Sequence, residues 1–378
     1  MAKDRYFGMS PRIARWKIDT PVENWLSFKA DNSEFWKRLY VLYYRIFDSK
    51  YYKGGLNFID RYMSDFQDYW DPEKKVSVVR DMIYCLHRFG VDFQDYWSYD
   101  FISHQDLQYR ESYISDKLRY HYCDILNAPE LEALMTDKYS CYERYSRFYK
   151  REVELCTSDA DREKFLSFAS RHVSFIFKPL SSHSGRGICI VNTEETDMDV
   201  FFKERITQGA FIVEELIRQA YPLSSLHPAS VNTVRVVSFV VGRKVSIFAS
   251  TLRVGRGGAE LDNAGSGGIY AIVDTEKGVV STDAVDHKRN HYEKHPDTGI
   301  TFNGFQLPAW EDAVQLIKDM ALTVNGTTLV AWDIAFSDDG WVMVEANDNG
   351  AWRVIQSNRP SGLKDKLYSL MDGYFEHK

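Results

Sequence analysis

The chain has 378 residues, more than one compact core usually holds, so two or three subdomains are expected. Hydrophobic residues make up 44% and charged residues 27%, the balance of a globular protein rather than a disordered one. A formal net charge of -7 argues against a general nucleic-acid binder, and no run of about eighteen apolar residues suits a membrane span.

The opening Met1-Ala2-Lys3-Asp4-Arg5 lacks the apolar centre of a signal peptide. Five widely spaced cysteines (Cys85, Cys123, Cys141, Cys156, Cys189), with no C-x-x-C pair, suit reduced thiols and the cytoplasm. Residues 1–125 read as helical and rich in aromatics. Trp36-Leu39-Leu42-Tyr43-Ile46-Phe47 forms one apolar stripe, and Val76-Val79-Met82-Ile83-Leu86 forms another. Asp65-Phe66-Gln67-Asp68-Tyr69-Trp70 returns as Asp92-Phe93-Gln94-Asp95-Tyr96-Trp97, a repeat too short to establish a duplication. Both copies read as helix-end aromatics that pack against the body.

The pattern stays helical and polar from Phe101 to Arg151. Beyond Ser170, β-branched and alternating runs predict strands at 173–177, 187–191, 210–213, 234–240, 245–249, 268–273, 329–334 and 341–345. Helices are expected at 197–207, 309–324 and 361–375. The fold class is therefore α+β: a mixed body of roughly two hundred residues behind a helical N-terminal domain.

Two stretches carry chemistry. Phe175-Ile176-Phe177-Lys178 is a strand ending in lysine, followed by a small, polar, glycine-bearing loop. Ser182, His183, Ser184, Gly185 and Gly187 in that loop suit close approach of backbone N–H groups to phosphate oxygens, with Lys178 aimed at the same phosphates. A plain hairpin with a surface lysine would carry the same residues, and no G-K-[ST] closes the loop as a Walker A motif would. The second stretch runs from Trp332-Asp333-Ile334 through a turn to Val344-Glu345-Ala346-Asn347. Alternation puts Glu345 and Asn347 on one face, and a hairpin puts Asp333 beside them. Two carboxylates and an amide oxygen suit Mg²⁺.

Arg235 and Arg253 lie on successive expected strands, placed to steady a γ-phosphate or an acyl phosphate, or else to serve in ion pairs. Asn263, Ser266 and Gly267 offer donors for a carboxylate substrate, although the glycines serve a turn equally well. His287, Lys288, His291 and His295 have a spacing that fits no standard zinc site.

In their order these motifs resemble the ATP-grasp superfamily over about residues 130–360. His227-Pro228-Ala229-Ser230-Val231-Asn232-Thr233-Val234-Arg235, Asp262-Asn263-Ala264-Gly265-Ser266-Gly267-Gly268 and His295-Pro296-Asp297-Thr298-Gly299 narrow the resemblance to the sugar-transfer-associated ATP-grasp group. The resemblance implies two α+β subdomains gripping ATP. The boundaries expected are a helical domain at 1–125, a small ATP-grasp subdomain at 126–215 and a large one at 216–378. It implies that Lys138 is the first phosphate lysine and Lys178 the second. Glu214, Glu215 and Leu216 become the adenine-side hinge, and Asp333, Glu345 and Asn347 the metal ligands. The implied activity is an ATP- and Mg²⁺-dependent carboxylate-amine ligase with an acyl-phosphate intermediate, forming an amide on a sugar acid or amino acid for a cell-surface polysaccharide. Implied partners are small carboxylates and amines, a sugar acid or nucleotide sugar among them, and glycan-assembly enzymes. A kinase of the same fold, or a non-catalytic nucleotide-binding partner of a glycosyltransferase, is the alternative. Asp348 is an acid beyond the family's Glu-x-Asn set.

Overall fold

The computed structural model describes residues 21–49, 52–53, 56–57, 59–61, 75–180, 187–259, 262, 267–350 and 352–377. Helices fill the first part: Pro21–Ala30, Glu34–Phe47, Lys75–Phe89, Phe93–Ser98, Leu107–Ser112, Asp116–Leu126, Pro129–Thr136 and Lys138–Tyr149. Four of their starts are written in the sequence. Asp92, Asp106, Ser115 and Asp137 each precede a helix and accept a hydrogen bond from the backbone N–H three residues on.

On Glu34–Phe47 the buried face differs from the expected stripe. Leu42, Ile46 and Phe47 are exposed, whereas Lys37, Tyr40, Val41 and Tyr44 are buried. A polar anchor sets this choice. Lys37 donates to Asp81 at 3.0 Å, and Asp81 also accepts from Arg110 at 3.0 Å and from Tyr96 at 2.8 Å. The inward face thus follows a paired lysine and tyrosines rather than aliphatic spacing. On Lys75–Phe89, Met82 and Ile83 are buried while Val76 is exposed. Phe93, Tyr96 and Trp97 are buried as helix-end aromatics. Their counterparts at 65–70 lie outside the described residues.

Two antiparallel sheets follow. The first contains β1 (Val153–Cys156), β2 (Ser174–Pro179), β3 (Cys189–Asn192) and β4 (Phe211–Glu215), in the order β1-β4-β2-β3. The second contains β5 (Thr233–Val241), β6 (Lys244–Val254), β7 (Ile269–Val273), β8 (Ala284–Val285), β9 (His291–Tyr292), β10 (Leu329–Ser337) and β11 (Gly340–Asn347). Its order is β11-β10-β5-β6-β7-β8-β9. Strands β1, β8 and β9 were not expected; β8 and β9 have two residues each, too few to show alternation. Helices Met198–Gln208, Trp310–Ala321 and Lys364–His377 lie where helices were expected.

Each sheet has an apolar face that orients it. In the small sheet Phe175, Phe177 and Phe211 pack on Phe165, Phe168 and Phe202 of the helices behind. Alternation then turns Ile176, Lys178 and Glu214 toward the large sheet. In the large sheet Val234, Val236, Trp332 and Ile334 pack with the helix Trp310–Ala321. The opposite face buries Val237, Phe239 and Ala331 beneath Asp116–Leu126 and Lys364–His377. One end of that face is polar, and it looks into the gap between the sheets. All five cysteines are free. Among the described residues no helix is long and apolar enough to cross a membrane.

Candidate active site

A row of side chains crosses the large sheet at its polar end. The register pairs Glu345 with Asp333, Asp333 with Arg235, and Thr233 with Arg253. Directly opposed residues share a face, so these groups meet. Arg235 grips Asp333 through two parallel bonds, Nε to Oδ1 at 2.8 Å and a terminal nitrogen to Oδ2 at 2.7 Å. Arg253 donates to the same Oδ2 at 2.7 Å and to Asp262 at 3.0 Å. Asp262 also accepts from the backbone N–H of Thr233 at 3.0 Å and from its hydroxyl. Burial alone would raise the Asp333 carboxyl, but the two guanidiniums hold it well below its ordinary value. At Asp262 burial prevails over Arg253 and raises the carboxyl.

Glu345 borders this locked pair on the cleft side. Its side chain is 56% accessible, against 2% for Asp333, and it faces the cleft. Asn347 donates to it at 3.2 Å, and Arg235 approaches to 3.9 Å. Desolvation in the recess and the neighbouring Asp333 charge raise its carboxyl. This set fits Mg²⁺ with one restriction. Glu345 and the Asn347 amide oxygen face the cleft as hard oxygen donors. Oδ1 of Asp333 accepts one guanidinium bond, whereas Oδ2 accepts two, so Oδ1 is the less occupied oxygen.

The small sheet supplies the other wall. Lys178 donates to Glu214 Oε1 at 2.7 Å, and Arg151 donates to Glu214 Oε2 at 2.8 Å. Burial would raise Glu214, yet these two cations bring it down to about 2. Arg151 also donates to the Val344 carbonyl at 3.3 Å, which fastens the small sheet to β11. Lys138 begins its helix and donates to the carbonyls of Pro179 at 3.0 Å and Leu180 at 3.3 Å. Burial and the nearby Lys178 lower its ammonium.

Between the walls lies a cavity of about 1460 Å³, with Lys138, Lys178, Glu214 and Leu216 on one side. Arg235, Arg253, Asp333, Glu345 and Asn347 line the other. Glu215 turns away, its carboxylate accepting from the Glu152 N–H at 3.2 Å. Gly187 leads into β3 at a φ of +75°, where a Cβ would press on Pro179 at 3.1 Å, so glycine is required. Ser182, His183, Ser184, Gly185, Asn263 and Ser266 lie outside the described residues.

Some residues of the site carried no sequence signal. Arg151 sits in a short polar link between a helix and β1, with no motif around it. Gln94, Ser98 and Arg119, from the N-terminal helices, also line the cavity. The stretches beginning at His227 and His295 meet under the loop after β6. His227 bonds Ser230 at 2.9 Å and the Gly257 carbonyl at 3.0 Å, while His295 bonds the Gly255 carbonyl at 2.8 Å. They brace the segment just past Arg253.

A family model described as sugar-transfer associated ATP-grasp matches residues 117–371. No curated protein matches the chain. Among solved structures, the chain is similar to ATP-grasp ligase PsnB complexed with minimal precursor, at 13% identity and a TM-score of 0.41, covering 74% of each chain. It is also similar to D-alanyl-alanine synthetase A from Vibrio cholerae, at 13% identity and a TM-score of 0.42, covering 66% of this chain and 68% of that one. A third is the ADP complex of purK, N5-carboxyaminoimidazole ribonucleotide synthetase, at 9% identity and a TM-score of 0.36, covering 58% and 46%.

Proposed function

Because the chain belongs to the sugar-transfer associated ATP-grasp family, we propose that it is an ATP-dependent ligase joining a carboxylate to an amine. The observation that supports this reading is the pairing of the two walls. Lys138 and Lys178 stand on the small-sheet side, and Glu345, Asn347 and the Arg235–Asp333–Arg253 cluster face them across the cleft. Cations on one side and hard oxygen donors on the other are what a triphosphate with its metal needs. In this reading residues 126–215 and 216–378 are the two ATP-gripping halves, with Glu214 to Leu216 as the hinge.

A carboxylate oxygen attacks the γ-phosphorus, the bond to the bridging oxygen breaks, and ADP leaves. An amine then attacks the carbonyl carbon of the acyl phosphate, inorganic phosphate departs, and the amine nitrogen loses its proton. Lys138 and Lys178 offset phosphate charge, and Arg235 and Arg253 steady the reacting end of the cleft. Bound by Glu345, Asn347 and Oδ1 of Asp333, Mg²⁺ would supply charge neutralisation at the phosphates.

The proposed carboxylate is a sugar acid or an amino acid, coupled in the assembly of a cell-surface polysaccharide. The family's association with sugar transfer supports that choice. ADP release by the purified protein, with Mg-ATP and mixed pools of sugar acids, amino acids and amines, tests the proposal. Release that requires both an acid and an amine is expected. A stable phosphorylated product formed without amine would make the protein a kinase instead.

A further inference from the structure

A second cavity lies outside the cleft just described. Of about 300 Å³, it is walled by three separate parts of the chain: residues 98–109, 285–291 and 357–360. Its lining is polar and basic, with Arg289, Arg359, His104 and His291 against a single carboxylate, Asp100.

The two arginines differ in a telling way. Arg289 is already paired, donating to Asp100 at 2.7 Å. Arg359 has no carboxylate within ion-pairing distance among the described residues. Its Nε donates to the Ile355 carbonyl at 2.6 Å, and its charged neighbour is another cation, Lys366. Burial without a counter-charge presses the guanidinium below its ordinary value. A recessed, uncompensated charge costs free energy unless a partner is brought to it.

The backbone adds a second, separate observation. Among the described residues, five that are not glycine have positive φ, and three of them line this cavity: Asp100 at 55°, Arg289 at 63° and Asn358 at 60°. Left-handed backbone at non-glycine residues is costly and collects where the surroundings hold side chains in a set geometry. Tyr99 and Tyr109 also line the cavity, and His104 stacks on Tyr109 with ring centroids 4.1 Å apart.

We propose that this cavity is a binding site for a small oxyanion-bearing molecule, phosphate or carboxylate, with Arg359 as the charge partner and Arg289 and His291 as flanking donors. Its volume limits the ligand to roughly the size of a phosphorylated monosaccharide. The site is separate from the nucleotide cleft but touches it, since Ser98 lines both cavities. An occupant would tie the N-terminal helices to the two body segments.

Isothermal titration tests this with inorganic phosphate, glucose 6-phosphate and glucuronate as probes. Magnesium and an excess of a non-hydrolysable ATP analogue keep the nucleotide cleft filled. At least one probe is expected to bind the full-length protein, and which one does so distinguishes a phosphate from a carboxylate ligand. Arg359→Gln should weaken that binding at least tenfold, while Lys178→Ala leaves it unchanged. His291→Glu, a rim substitution at an exposed position, should weaken it similarly by like-charge repulsion and decides the matter if Arg359→Gln folds poorly. Absence of binding by every probe, wild-type affinity in His291→Glu, or loss confined to Lys178→Ala would overturn the assignment.

Discussion

Lys178 and Glu214 stand two register positions apart on neighbouring strands, and their side chains meet at 2.7 Å. Arg151 holds the other oxygen of the same carboxylate, so one buried acid orients two cations that face the cleft. The folded carboxyl lies at about 2, below its ordinary 4.5. Its contribution to stability is therefore complete above pH 4.5 and disappears as pH falls toward 2. That displacement corresponds to roughly 3 kcal/mol. Urea unfolding of wild type and Glu214→Gln across this window should show the wild type losing about that much more stability. Parallel curves would mean that Glu214 is not the titrating group.

Lys178 itself is expected to matter for turnover more than for folding. Lys178→Ala removes one of the cations on Glu214 but leaves Arg151 in place, so the purified variant should keep its circular dichroism spectrum. ADP release should fall by at least about 100-fold, the scale on which a single charge-stabilising donor acts. Near-normal release would sink its assignment to the phosphate side.

Asp333 and Glu345 face each other in the sheet, yet the structure gives them different duties. Asp333 is buried against two guanidiniums, and its removal leaves Arg235 without its gripped carboxylate and Arg253 with Asp262 alone. Asp333→Ala should cost about 3–5 kcal/mol in denaturant unfolding as well as activity. Glu345 is accessible, so Glu345→Ala should change stability by less than about 0.5 kcal/mol while lowering ATP consumption at least about 100-fold. Equal stability losses in the two variants would contradict the division. A matching check is magnesium: Glu345→Ala should raise the magnesium concentration required by any residual activity.

The sequence made the strands of both sheets legible wherever a run exceeded four residues, because burial on one face imposes a period of two. The same periodicity put Glu345 and Asn347 on one face and drew attention to Arg235 and Arg253. It could not show that both arginines close on Asp333. That contact spans 98 residues for Arg235 and depends on which strands become neighbours. Arg151 was invisible for a related reason, since its partners Glu214 and Val344 lie 63 and 193 residues away. The helix Glu34–Phe47 failed differently: a buried Lys37–Asp81 pair, rather than aliphatic spacing, decides which face turns inward.

Arg353 offers a way to ask what the N-terminal helices contribute. It follows the Glu345–Asn347 strand end and donates to Asp95 at 2.7 Å and to Asp92 at 2.8 Å. Asp92 caps the helix Phe93–Ser98, and Asp95 also accepts from the Asp116 N–H at 2.7 Å. One guanidinium therefore pins the short helix whose Gln94 and Ser98 line the cleft. Arg353→Ala leaves Asp95, which is fully buried, without its cation, and the helix should loosen. Hydrogen exchange should rise across 93–98, and the KM for the acceptor should increase several-fold while that for ATP stays unchanged. Adding Asp95→Asn should recover part of the protection, since a neutral amide tolerates the lost charge. If exchange and both KM values match wild type in Arg353→Ala, the N-terminal helices are a packed cover and take no part in holding the acceptor.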